Sequence, residues 1–369
     1  MKQAEQGCLL IGDLSGYTGY LAGTELEHAH SVLDAVFGVL IAALEPAFKV
    51  HELEGDAIFV SRVDPQPDPS LLLDAVEQSY FAFRRHMRDV IAATTCDCKA
   101  CRRLPELDLK FVVHYGSFVI DRLGKLGEVT GTDVVIAHRL LKNRVPETLG
   151  LGAYGLYTEA LVRAAGIDPP ALGLLPHRES YEHLGEISVY VQDLSARWEA
   201  EQNTTRVELE DREAFVDLLS DELAADPATI WSYLTVPARR VRWQGLDQVD
   251  ELAGLGRRGV GTRTHCIHAR GTFDEEILDW HPYEHETVRM FMPRMGSVLA
   301  SYDLTRSDGG TRLRYRCGRP QGVLLRLMKP MVARQMRSEV TEKLEILKGI
   351  LAGEPASKPA SGEPPPGVD

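Results

Sequence analysis

The sequence predicts an α+β protein of two domains, and three observations carry that prediction. Two short segments, Leu9-Leu10-Ile11-Gly12-Asp13-Leu14-Ser15-Gly16-Tyr17-Thr18 and Glu52-Leu53-Glu54-Gly55-Asp56-Ala57-Ile58-Phe59-Val60, each join an apolar strand-like run to an aspartate at a glycine-marked break. In the second half a series of short strand-like segments ends in one helix, on which Met328, Val332, Met336, Val340, Leu344, Leu347 and Leu351 recur at three- and four-residue steps. Between them lies the polar run Glu199-Ala200-Glu201-Gln202-Asn203-Thr204-Thr205-Arg206, the best linker on composition. It sets the domains at 1–205 and 206–352.

The first domain alternates strands and helices. A strand covers Cys8 to Ile11, a helix runs from about Glu27 to Leu44, and a hairpin passes through Ala57 to Val60. Asp64 to Ser70, with three prolines, breaks the chain before a helical segment from Leu71 to Ile91. Leu109 to Leu141 supplies a strand, a hairpin and a helix, and Ile187 to Val191 is a closing strand.

Asp13 and Asp56 meet the requirement of a two-metal site, because divalent cations beside a triphosphate need hard carboxylate oxygens from rigid neighbouring strands. Ser15, Gly16 and Thr18 would let backbone amides approach phosphate oxygens. Each Gly-Asp taken singly also fits an aspartate that caps a turn.

The order Asp13, Gly55-Asp56, His114-x-Gly116 and Gly131 through Arg139 resembles the class III adenylyl/guanylyl cyclase homology domain, over about residues 5 to 195. The resemblance implies a ferredoxin-like fold and a homodimer that shares its sites. It also implies magnesium or manganese on Asp13 and Asp56, and Arg139 as the group that stabilises charge on the phosphates. The turn Ser15-Gly16-Tyr17-Thr18 would lie over the triphosphate, and Glu52 and Glu128 would occupy the two purine-reading positions. Adenylyl cyclases carry a lysine where this chain has Glu52, and a carboxylate there accepts from guanine N1 and N2 hydrogens. Val135 replaces the asparagine that orients the ribose, a loss expected to lower turnover about 10²-fold or more. Metal-triphosphate binding can survive that loss while catalysis does not.

Cys96-Asp97-Cys98-Lys99-Ala100-Cys101 offers three thiolates within six positions, enough to wrap a zinc ion with His86, His114 or a partner chain as a fourth ligand. The alternative is a loop of thiols.

The second domain starts with Val207 to Leu219 and a helix for which Asp226 is the N-cap and Pro227 the first residue. Strand-like segments follow around Gly261 to His268, Phe273 to Trp280, Thr287 to Phe291, Gly296 to Leu304 and Thr311 to Cys317, with Asp308-Gly309-Gly310 as a hairpin turn. This order, with the long final helix, resembles the helix-grip fold of the START-like polyketide cyclase and dehydrase superfamily (SRPBCC) over 207 to 351. That resemblance implies an apolar cavity for a hydrophobic ligand, with Trp243, Trp280, Phe291, Met292 and Tyr302 as wall residues or as plain core. His265 and His268 fall on opposite sides of a strand, and His281 and His285 are expected to be exposed beside a proline turn.

The chain has 369 residues, 44% hydrophobic and 26% charged, which suits two ordinary cores. A formal charge of −13 without a basic stripe argues against nonspecific nucleic-acid binding. No apolar run approaches the ~20 residues of a membrane span, the start lacks a leader pattern, and six scattered or clustered cysteines suit a reducing compartment, so the expected location is cytoplasmic. Gly353 to Asp369 has the composition of a disordered tail.

Overall fold

A computed structural model describes residues 4–22, 24, 26–93, 98–123, 126–252, 257–269 and 271–353. Cys96 and, beyond Gly353, the expected tail lie outside the described residues. Two compact units result, Met1–Thr205 with Leu255–Arg257, and Arg206–Gly254 with Arg258–Asp369. Among the described residues no helix is long and apolar enough to cross a membrane.

The first unit is built on β1 (Glu5–Ser15), β2 (Lys49–Glu54), β3 (Ala57–Val63), β4 (Asp108–Leu123), β5 (Leu126–Thr130), β6 (Tyr154–Thr158), β7 (Leu175–Tyr181) and β8 (Gly185–Asp193). The strand order is β2-β3-β1-β4-β6-β8-β7, with β5 paired to β4. Strands β2, β3, β1 and β4 pair antiparallel with one another in that order, β4 pairs β6 in parallel, and helices Leu26–Leu44 and Pro69–Ala93 link β1 to β2 and β3 to β4. That is the ferredoxin-like arrangement. Strand β1 lies at its centre and is buried continuously from Gly7 to Gly12, which explains an apolar run without alternation. Leu9 and Ile11 pack under Val134 and Ala137 of the Thr132–Leu140 helix. Helix Pro69–Ala93 starts where Asp68 accepts from the Leu71 amide at 3.1 Å.

The Thr132–Leu140 helix is held to β4 by a buried lock. Asp133 accepts from the Ser117 amide at 2.7 Å, and its other oxygen lies 3.1 Å from His114 Nε2, while His114 Nδ1 is 2.9 Å from Thr158 Oγ1. Gly116 makes this approach feasible, because a Cβ there would lie 2.2 Å from the Asp133 carboxyl carbon. Gly116→Ala should therefore cost about 1–3 kcal/mol and lower the melting temperature; an unchanged melting temperature would show that the lock contributes nothing.

The polar run at 199–206 is only partly a linker. Helix Leu194–Gln202 extends into it, started by Asp193 accepting from the Ala196 amide at 3.0 Å and anchored by Trp198, whose ring lies 5.6 Å from that of Phe81.

The second unit contains β9 (Ala214–Leu219), β10 (Gln248–Leu252), β11 (Arg263–His268), β12 (Gly271–His281), β13 (His285–Met292), β14 (Gly296–Ser307) and β15 (Gly310–Gln321). Their order is β10-β11-β12-β13-β14-β15-β9, antiparallel throughout. Asp226 caps helix Pro227–Thr235 by accepting from the Thr229 amide at 2.8 Å. Helix Lys329–Leu351 packs against β9, and Met336 Sδ lies 3.7 Å from Cys317 Sγ, so the Cys317 side of the sheet faces this helix. A long terminal helix held by an antiparallel sheet is the helix-grip arrangement. A bulge between Ile277 and Asp279 shifts the register of β12.

Candidate functional site

Register brings the first group of site residues together. Asp13 on β1 lies opposite Ala57 of β3 and Lys110 of β4, and the Leu14 amide donates to Asp56 O at 2.9 Å. Lys110 Nζ sits 3.0 Å from Asp13 Oδ2 and also donates to the Leu141 carbonyl at 3.3 Å, just past the Thr132–Leu140 helix. Burial pushes the Asp56 carboxyl up, and the Asp13 charge adds to that push against Asp56's backbone hydrogen bond and Lys110. A carboxyl raised by burial and by a neighbouring carboxylate lies in a site that favours a cation.

Those two carboxylates fit a magnesium or manganese ion by donor chemistry, since such ions are held by one or two carboxylates together with phosphate oxygens. Among the described residues no group of three or more His, Cys, Asp or Glu side chains is arranged to hold a metal. Lys110 supplies the positive charge in this structure, and the sequence carried a trace of it: it is the one charge in the apolar run Leu109-Lys110-Phe111-Val112-Val113.

Gly16 adopts φ +83°, and a Cβ there would lie 2.5 Å from the Glu106 carbonyl, so glycine is required at this turn. Thr18 is exposed, and Ser15 and Tyr17 are half-buried beside it. Arg139 and Val135 are both exposed and, four residues apart, share one helix face; the Arg139 side chain makes no hydrogen bond or ion pair among the described residues.

Glu52 is exposed on β2 opposite Phe59, and its charge acts on Glu54. Burial raises the Glu54 carboxyl, His138 acts against that, and Glu52 adds to it; His138 Nδ1 lies 3.3 Å from Glu54 Oε2. This Glu52–Glu54–His138 row depends on strand register and was not visible in sequence. Glu128 lies on β5 opposite Asp121, and its side chain falls outside the described ones.

Of the cysteines, Cys98 Sγ accepts from the Cys101 amide at 3.4 Å at the start of helix Lys99–Arg103. His114, one of the fourth ligands considered, has both ring nitrogens engaged in the lock.

In the second unit register places Trp280 and Tyr302 in one cross-strand row, and Phe291 falls on the other side of the sheet. Trp243 is buried and donates to the Tyr233 carbonyl at 2.8 Å, and Trp280 packs on Trp231 with centroids 4.7 Å apart. Tyr302 points to the helix side, where β14 pairs it with Tyr315. Phe291, together with Met292, lines an open hollow of about 530 Å³ with His265, Asp274 and Gln321.

His281 and His285 differ from expectation. His285 is 15% exposed, with Nδ1 2.6 Å from Asp303 and Nε2 2.9 Å from Thr287 Oγ1, and both histidines lie beside the fully buried Asp279. Arg206 donates to Asp279 at 2.8 Å, and Arg316 bridges Asp303 and the Leu209 carbonyl. The bulge turns Asp279 toward this cluster, which a reading of the turn alone could not foresee.

Residues 33–148 match a family model described as a protein of unknown function (DUF2652), and residues 219–352 match one described as polyketide cyclase / dehydrase and lipid transport. The guanylyl cyclase Cya2 aligns over 52% of this chain and 92% of its own, at 17% identity and a TM-score of 0.42. Protein MLL2253 from Mesorhizobium loti aligns over 36% and 94%, at 22% identity and a TM-score of 0.30. The fold described above rests on strand order and register, not on these two likenesses. An uncharacterized protein of Mycobacterium tuberculosis, Rv2561/Rv2562, is 31% identical over 166 residues, which make up 45% of this chain and 71% of that protein. This chain belongs to the family of that mycobacterial protein.

Proposed function

We propose that the N-terminal unit binds GTP or ATP with magnesium or manganese at Asp13 and Asp56, and that it works as a symmetric pair of chains. The observation that carries this reading is the Asp13 carboxylate on β1 beside that of Asp56 in the β2–β3 turn, the first raising the proton affinity of the second next to the Lys110 ammonium. Asp13 and Asp56 would hold the metal, which when bound neutralises the triphosphate and polarises the ribose 3′-hydroxyl. Arg139, exposed and unpaired among the described residues, is available to phosphates bound to a second chain. On this reading the domain converts the nucleotide to its cyclic form, and Glu52 favours guanine. A hydrophobic ligand in the C-terminal unit then modulates the reaction, which requires that it bind two states with different affinity.

A second reading has its own observation. Val135 stands on the exposed face beside Arg139, where it can neither donate to nor accept from a ribose, so the first unit would bind nucleotide without turnover, or serve as a scaffold for the ligand-binding unit. Titration with GTP and ATP in the presence of manganese, reading binding and cyclic product together, separates these cases. Product formation establishes the cyclase. Binding without product establishes a sensor, and neither result would leave the C-terminal unit as the working part.

A further inference from the structure

The interior of the C-terminal unit is not uniformly apolar. Cross-strand register puts Trp280, Glu286, Tyr302 and Tyr315 in one row across β12, β13, β14 and β15. Cys317, two residues beyond Tyr315 and so on the same side, touches Met336 of the long helix. The row therefore faces inward. Glu275 of β12 is nearby, and one of its oxygens is engaged: Arg240 donates to Oε2 at 2.6 Å and Thr264 at 3.2 Å, while Arg240 also donates to Gln244 at 2.9 Å.

Glu286 is different. It is 4% exposed and makes no hydrogen bond or ion pair with any described residue, although native proteins pair almost every buried polar group. Lys343, half-buried on the long helix, also lacks a hydrogen bond or ion pair among the described residues. Both groups feel the Arg240–Glu275 pair; Arg258 also acts on Glu286, and Glu339, ahead of that pair, and Glu342 act on Lys343. A carboxyl and an ammonium left unpaired on opposite walls of one interior are costly unless something else satisfies them. Burial pushes the Glu286 carboxyl up to about 8, so at neutral pH it presents an O–H donor, and burial lowers Lys343.

We propose that this interior is a binding site for an amphipathic oxyanion, an apolar body carrying a carboxylate-, sulfonate- or enolate-like head, whose oxygens accept from Glu286 and pair with Lys343 around the buried Arg240–Glu275 pair. Trp280, directly across from Glu286, supplies an aromatic surface for the body. The inference deepens the proposal of a hydrophobic ligand in this unit and rests on it.

Two probes with the same aromatic body distinguish the two ideas: 8-anilinonaphthalene-1-sulfonate, which has an anionic head, and neutral N-phenyl-1-naphthylamine. Each is titrated against the full chain and against Lys343→Met, Glu286→Gln and Glu286→Leu, with thermal unfolding to confirm that the variants fold. The sulfonate should bind once per chain and at least tenfold more tightly than the neutral probe. Lys343→Met should remove that advantage and leave the neutral probe unchanged. Glu286→Gln, which keeps a donor, should hold sulfonate affinity within threefold, and Glu286→Leu should lose about tenfold. If both probes bind alike and no variant moves either, the oxyanion site is overturned and a plain apolar cavity remains. If neither binds, the interior is a closed core and both ideas fall.

Discussion

Glu77→Leu should destabilise the N-terminal unit by about 3–5 kcal/mol, the cost of removing one partner from a buried charged network. Glu77 is 2% exposed and accepts from Gln192 at 2.6 Å, from Arg197 at 2.9 and 3.2 Å, and from Arg257, which belongs to the same unit, at 2.7 and 3.0 Å. Asp74 accepts from Arg257 at 2.6 Å and cannot by itself balance two guanidinium groups. Burial alone would push the Glu77 carboxyl up; Arg257 and Arg197 outweigh it and hold the group at about 2. A folded-state value below the unfolded one, about 4.3 for glutamate, gives stability that is complete above that unfolded value and is lost as pH falls toward 2. Urea unfolding of the wild type and of Glu77→Gln should therefore differ most at pH 7 and converge between about pH 4 and 2. A difference that stays constant over that range would show that the carboxylate charge is not what stabilises the network.

Asp13→Asn and Asp56→Asn should each weaken manganese-dependent nucleotide binding, and together by at least about 100-fold, because a carboxamide neither neutralises nor strongly coordinates a hard cation. Lys110→Met has the opposite expected sign. Its ammonium sits on Asp13 at 3.0 Å, so a metal must displace it, and its removal should tighten manganese binding about tenfold in calorimetry without nucleotide. If Lys110→Met instead weakens metal binding, Lys110 organises the two aspartates rather than competing for them. If the double aspartate variant binds nucleotide as well as wild type, the metal-site reading fails outright.

Features of the sequence that depend on local chemistry were legible. The run around Leu9–Ile11 is a strand because its side chains are buried on both faces, and Asp226-Pro227 starts a helix because its cap and its fixed first residue act within one turn. The Gly55-Asp56 break and Gly16 mark turns because their backbones adopt positive φ. Long-range partnerships were not legible. Lys110 meets Asp13 through the β1–β4 register across 97 positions of sequence, and Glu54 meets His138 only because a helix returns over β3. The aromatic residues of the second half looked alike as a list, yet Trp243 is buried, Trp280 lies in the inward row with Glu286, and Phe291 faces an open hollow. Glu286 gave no sign at all, since one glutamate in a strand reads as a solvated face until burial is known.

The bulge between Ile277 and Asp279 leaves the lining at the end of β12 to its pairing with β13. Successive strand residues alternate sides and cross-strand partners share one, so Trp280 shares a side with Glu286 while Asp279 joins His285 on the other. Excising Leu278 would remove the bulge and leave Asp279 opposite Thr287 and Trp280 opposite Glu286 in an unbroken register, so each side chain would keep its side. Lineages of this domain can thus vary their interior by replacing side chains one at a time, and a single-codon deletion at the bulge would straighten the strand without turning Trp280 or Asp279 over.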